Sequence, residues 1–285
     1  MKVNLPVHKG EVLDVTIMDL TYQGMGVAKV DNYPIFIENA LPEEKITVKV
    51  TKTTKNFAFG DVEKINQVSP HRVNPKGRVY RQTGIAPLQH LEYSEQLKFK
   101  QHQVAELFAK VHMDDVEVLP TIGMANPTQY RNKAQVPVRQ VQGQLTTGFY
   151  KKNSHQLMPI EDYYIQDPAI DKAIVVVRDI LRKYHEAAYD EFHHSGTIRT
   201  IMVRRGYYSQ EMMVVIVTRT KHLPMADVVT QEIQAALPEV VSVIQNVNSK
   251  KTNVILGPVN NVLAGKATID DQLLGLTFAI SAQSF

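Results

Sequence analysis

None of the 285 residues is a cysteine. The fold therefore has no disulfide and no thiolate-held zinc or iron–sulfur cluster, and burial and hydrogen bonding must hold it together. The same absence limits chemistry, because no thiolate nucleophile comes from these residues. The length leaves room for two domains of ordinary size. A content of 44% hydrophobic and 21% charged residues describes an ordinary globular chain. The opening MKVNLPVHKGEVLDVTIMDL has no apolar core with a small-residue cleavage site, and apolar runs such as Ala173 to Val177 are far too short to span a bilayer. A cytoplasmic protein with no membrane partner is expected.

The first 70 positions hold short segments with partial or full alternation: Glu11 to Leu20, Tyr33 to Leu41, Ile46 to Thr54 and Phe57 to Val68. Turn residues separate them at Gly24, Gly26, Asp31-Asn32 and Pro42. This pattern predicts a five-stranded, OB-like β-barrel over residues 1–68. Gly24-Met25-Gly26 does not open a dinucleotide-binding turn, because the strand-like Val27 to Val30 follows where a helix is required. A tight barrel turn fits it better. Lys49, Lys52 and Lys55 fall on exposed strand or loop surface, where such a barrel offers a platform for single-stranded nucleic acid.

Residues 71–91 are rich in Pro, Gly and basic residues and read as a connector. A helix follows over about 94–111, with Ser94 as its cap, and a second over about 168–188, with Asp167 as cap and Pro168 in the first turn. Strands recur between and after them, which gives an α+β domain over 69–285. Tyr130 to Arg139 and Gln144 to Tyr150 form one expected hairpin, and Ile198 to Arg205 and Met212 to Arg219 another. The net charge is only +3, but in residues 71–152 twelve Lys and Arg stand against six Asp and Glu. Concentrated basic charge of this kind attracts phosphate. Lys151 and Lys152 follow Phe149-Tyr150, a combination that suits a solvated turn and a single-stranded RNA contact equally well. Arg204 and Arg205 read as solvated residues at a strand end, and His90 as a structural histidine. His193-His194 has no third ligand at useful spacing, so no metal is expected.

Several segments together resemble one family. Leu88 to Leu91 followed by Tyr93 to Lys100, then Tyr130-Arg131-Asn132-Lys133, Gln245 to Asn248, Thr252 to Gly257 and the closing Phe278 to Phe285 resemble, in order, the uracil-C5 methyltransferases of 23S ribosomal RNA. Tyr22 to Ala28 looks like part of the TRAM barrel that opens many members. The resemblance implies a TRAM barrel, a central α+β domain and a Rossmann-like methyltransferase domain. It also implies covalent chemistry, in which a cysteine thiolate adds to uracil C6 and C5 then takes a methyl group from S-adenosylmethionine. Arg131 matches an arginine that the family places near its RNA, with Lys133 on the same strand face.

The sequence departs from the family twice. Three of the four cysteines that hold an iron–sulfur cluster in many members align with Gly77, Thr83 and Ala86, and the fourth falls near Tyr163 or Tyr164, so no cluster is expected. No segment matches the catalytic domain. The expectation is thus an RNA-holding portion whose Rossmann-like domain is absent, with the helix over 94–111 left to pack on it. Such a portion has no catalytic residue and does not itself bind S-adenosylmethionine, and it places Phe285 at the active-site edge. The expected partner is 23S ribosomal RNA, bound by a monomer. Alternatives are a stand-alone, non-catalytic RNA-binding protein and a tRNA-directed relative.

Overall fold

The computed structural model describes residues 5–75 and 82–284. The chain divides into two compact units, Met1–Ala125 and Asn126–Phe285.

The first unit is built on a six-membered sheet: β1 (Val12–Thr16), β2 (Asp19–Leu20), β3 (Gly26–Val30), β4 (Tyr33–Ile37), β5 (Lys45–Thr53) and β6 (Ala58–Gln67), in the order β1-β5-β6-β4-β3-β2. β1 and β2 are two halves of one bent segment. At the bend the Ile17 N–H donates to Glu44 O at 2.9 Å and the Met18 N–H to Val27 O at 2.8 Å. Pairing therefore passes from β5 to β3, and the sheet closes on itself without an exposed edge there. Period-two alternation fills the inside: Tyr33, Ile35 and Ile37 from β4 meet Ile46, Val48 and Val50 from β5, all buried. Each such side chain contributes about 1.5–3 kcal/mol. Asp31 and Asn32 both take positive φ (48° and 62°), as the tight β3–β4 hairpin requires. Gly24 also turns with positive φ (79°), and a Cβ on Gly26 would lie 2.8 Å from that of Ala40. Both glycines thus serve the barrel.

Helix α1 (Tyr93–Lys110) belongs to this unit too. It begins one residue before Ser94, with Glu92 in the cap position and no side-chain cap bond, so the expected serine cap is not formed. None of its residues is buried, and the apolar stripe through Val104, Leu107 and Val111 is exposed.

The second unit is a seven-stranded sheet with the order β13-β12-β11-β10-β7-β8-β9. Its strands are β7 (Lys133–Val141), β8 (Gln144–Tyr150), β9 (Leu157–Pro159), β10 (Ile198–Arg205), β11 (Met212–Thr218), β12 (Val240–Val247) and β13 (Val259–Gly265). Helices α2 (Pro168–Lys183) and α3 (Ala226–Ala236) pack on one face. The α2 cap is the expected one, Asp167 accepting from the Ala169 N–H at 2.8 Å, and the stripe Ile170, Ile174, Val177 and Leu181 is buried. On the other face the hairpin β14 (Thr268–Leu273)–β15 (Leu276–Ser281) covers Met202, Met213, Val215 and Ile244 with Ile269 and Ala282.

The expectation that a Rossmann-like part is absent is corrected here. β11 and β12 are parallel and joined through α3, which is the strand–helix–strand unit from which Rossmann-like sheets are assembled. Parallel neighbours need such a crossover, since a short turn cannot bring the chain back to the same end. Among the described residues no helix is long and apolar enough to cross a membrane.

Candidate nucleic-acid interface

The outward positions of the barrel gather an aromatic cluster. Phe36 faces out between Ile35 and Ile37, and Phe59 faces out between Ala58 and Gly60. The parallel pairing of β4 with β6 sets Phe36 directly opposite Phe59, with ring centroids 6.0 Å apart. Phe57, from the β5–β6 turn, sits 5.5 Å from each of them. On the far side of β6, Lys52 is the cross-strand neighbour of Phe59. Tyr22, 81% exposed, stands in the turn before β3 and joins the three phenylalanines in lining an open groove of about 810 Å³. The cluster is drawn from β4, β6 and the β5–β6 turn, and such solvent-facing aromatic side chains are surfaces on which unstacked bases can pack. Lys49 lies apart from it, its Nζ 4.0 Å from Glu63 Oε1. Sequence reading named Lys49 and Lys52 and missed the phenylalanines. The signal was their phase, out of step with the buried aliphatic residues beside them.

In the second unit, Lys133 opens β7 opposite the end of β10, and Arg131 lies two residues before it, bridged to Gln166. Arg131 is exposed, with its Nε donating to Lys133 O at 2.9 Å. Lys133 pairs in register with Arg204, and burial together with the charges of Arg204 and Arg131 lowers its pKa. Arg204 is not solvated as expected. It is buried, its pKa is lowered by that burial, and its Nη2 donates to the carbonyl of Ser284. Arg205 is committed to Asp167 at 2.5 Å, which ties the end of β10 to the α2 cap. Three cationic side chains, Arg131, Lys133 and Arg204, thus share one end of the sheet. Phe285 lies outside the described residues.

Lys151 and Lys152 are exposed in the tight β8–β9 turn, next to a cavity of about 420 Å³ that Phe149 and Tyr150 help to line. Arg139 sits between two rings there, 5.3 Å from the centroid of Tyr150 and 5.7 Å from that of Tyr189. Arg199 lies 4.3 Å over Tyr189.

The other candidates are structural. His90 is buried. His193 Nδ1 is 2.6 Å from Asp190 Oδ2, and His194 Nδ1 is 2.9 Å from the Tyr189 hydroxyl. No group of three His, Asp or Glu among the described residues is placed to hold a metal ion. Of the cluster-equivalent positions, Gly77 lies outside the described residues. Tyr163 is buried with its ring edge-on to Phe149 at 5.2 Å, so packing occupies that place. In the parallel crossover the strand-to-helix turn, residues 219–225, contains no glycine and so forms no cradle of the dinucleotide kind.

Comparison with known proteins adds the following. Residues 6–62 match the TRAM domain. The chain is 52% identical over 283 residues to an uncharacterized RNA methyltransferase of Enterococcus faecalis, covering 99% of this chain and 62% of that protein. It is 49% identical over 280 residues to one of Streptococcus agalactiae, again covering 62% of the relative. The chain thus spans a little over three fifths of the length of these relatives. Among solved structures, the tRNA (uracil-54, C5)-methyltransferase of Pyrococcus abyssi, in complex with S-adenosyl-L-homocysteine, superposes with a TM-score of 0.72 at 22% identity, covering 95% of this chain and 60% of that one. Almost the whole chain therefore lies within the fold of a methyltransferase. The expectations of a fold marked off by a missing domain, and of a chain without cofactor binding, are withdrawn.

Proposed function

We propose that this chain, a TRAM-bearing homologue of RNA methyltransferases, holds single-stranded RNA for uridine-C5 methylation, with 23S ribosomal RNA as substrate and S-adenosylmethionine as methyl donor. The observation that carries the reading is the Phe36–Phe57–Phe59 cluster with Lys52 beside it on the TRAM barrel. Aromatic faces take unstacked bases, each stack contributing about 1–3 kcal/mol, and neighbouring cations take the phosphates. Arg131 and Lys133 supply further phosphate or base contacts on the second unit. RNA held in single-stranded form leaves a uridine out of the helical stack, as chemistry on a base demands.

In the chemistry implied by the resemblance, a thiolate adds to C6, C5 takes the methyl group, and a base removes the C5 proton as the C6–S bond breaks and the thiolate leaves. The thiolate is not among these residues, which contain no cysteine. S-adenosylmethionine supplies the methyl group in such a reaction. The strand-to-helix turn of residues 219–225 has no glycine and offers it no cradle of the dinucleotide kind.

The reading is tested by titrating the chain, as a monomer, into a labelled 23S-derived stem–loop and into tRNA. Tighter binding to the ribosomal fragment is expected. A preference for tRNA would reassign the substrate, and equal, weak binding to both would remove the RNA-holding role.

A further inference from the structure

Lys133, Gln135, Pro137 and Arg139 share the face of β7 opposite the helices, as the alternation of buried and half-buried positions shows. From Lys133 to Arg139 that row runs roughly 20 Å along the strand. It leads from the cationic sheet end to the 420 Å³ cavity lined by β7, β8, β10 and residues 252–255. The floor of this cavity carries unbalanced charge. Arg199 is 8% exposed and gives its donors to neutral carbonyls: Nη1 to Asn248 O (3.0 Å) and Lys250 O (2.7 Å), Nη2 to Thr252 O (2.9 Å). Against the guanidinium groups of Arg139 and Arg199 stands one carboxylate, Glu191. It accepts from Arg139 Nη2 at 3.3 Å and meets His155 Nδ1 at 2.6 Å. The lining also includes the apolar side chains of Phe149, Pro137, Val254 and Ile255. An excess cation and apolar side chains lining one cavity, in a volume within the usual range of about 300–1,000 Å³ for small-molecule sites, suit a group that carries both an anionic part and a flat apolar part.

We infer that this cavity takes one nucleotide of a single-stranded RNA, its phosphate drawn to the side of Arg139, Arg199 and His155 and its base packed on Phe149 and Ile255. The inference rests on the reading of the chain as RNA-holding. It places a second nucleotide site on the sheet, separate from the barrel face. The Arg139 guanidinium is held between two tyrosine rings and so is oriented before any ligand arrives.

The test is an NMR titration of the full chain with uridine 5′-monophosphate, uridine and inorganic phosphate, alongside binding of a single-stranded eight-nucleotide RNA. The monophosphate is expected to shift the amides of Tyr150, His155 and residues 252–255, and to bind several-fold more tightly than uridine or phosphate alone. Ile255→Asp sets a carboxylate at the rim from a side chain that is already partly exposed. It is expected to weaken the monophosphate and the oligonucleotide about tenfold each, the loss of roughly one base contact. Phe59→Ala on the barrel should weaken the oligonucleotide and leave the monophosphate shifts intact. His155→Ala, at an exposed side chain, gives a second check that does not threaten folding. If no amide at the cavity moves and Ile255→Asp binds the oligonucleotide normally, the nucleotide site is overturned while the barrel reading stands. If the cavity takes the monophosphate but no oligonucleotide binds, the inference is also overturned, because the ligand is then a free nucleotide.

Discussion

Two buried carboxylates behave in opposite ways because only one has a cation. Glu44 is fully buried, yet it accepts from Arg72 Nε (2.5 Å), Arg72 Nη2 (2.8 Å) and the Leu41 N–H (2.9 Å). Burial raises its pKa, but these bonds outweigh burial and hold it below the ordinary value. Arg72→Met should cost about 3–5 kcal/mol by leaving the carboxylate buried without its cation, read as a drop in the urea midpoint. Glu186 is also buried, and burial without a compensating cation pushes it up to about 7. Below pH 4.5 it is protonated whether folded or not. Between 4.5 and 7 the unfolded chain ionises first, so this group's contribution to stability declines as pH rises, and the decline is complete above 7. Glu186→Gln should therefore melt with the wild type at about pH 3.5 and several degrees above it at pH 8. Equal melting at both pH values would show that the carboxylate is solvated. Arg204 shows the limit of sequence reading at this scale. Its place at a strand end suggests solvent, but the Ser284 carbonyl, 80 residues away in sequence, closes over it.

At the scale of elements, local chemistry was the legible part. Asp167-Pro168 starts α2 as its sequence states, and Gln142-Gly143, with φ of 50° and 79°, turns β7 into β8. The hairpin of β10 with β11 was visible too, but the support of its turn, Tyr207–Gln210, was not. Asp271, on β14, accepts from the N–H groups of Tyr207, Tyr208 and Ser209 at 2.7, 2.9 and 3.1 Å. Asp271→Ala should loosen both the turn and the hairpin above it. Faster amide exchange at Met212–Val214 and at Leu276–Ala279 is the expected result, with the barrel amides unchanged. The aromatic groove escaped notice for the same reason. Phe36 and Phe59 become neighbours only through a parallel pairing of strands 23 residues apart, which period-two alternation does not announce. The β11–α3–β12 crossover likewise depends on which strands pair, and a hydrophobic pattern alone leaves that open.

For the whole molecule, the two units carry different parts of one proposed task. The barrel offers stacking surfaces, and the large sheet offers cations and a cavity. Lys52→Ala and Lys133→Ala should each reduce the salt dependence of RNA binding by about 0.7 in the log–log slope, the release expected for one phosphate contact on a single strand. The resemblance in sequence motifs reached across the chain, and the TRAM match and the relatives at about half identity agree with its coarser part, a likeness to TRAM-bearing RNA methyltransferases. What the motifs could not convey was how the surfaces are assembled, because each is built from strands that meet only in the folded sheet.

The most direct measurement is equilibrium binding of a labelled single-stranded RNA to the wild-type chain and to Phe36→Ala/Phe59→Ala, with thermal melts to confirm that both are folded. The account predicts at least a tenfold loss of affinity in the folded double variant, with the salt slope unchanged, because stacking is removed and the phosphate contacts remain. A folded double variant that binds as tightly as the wild type would contradict it.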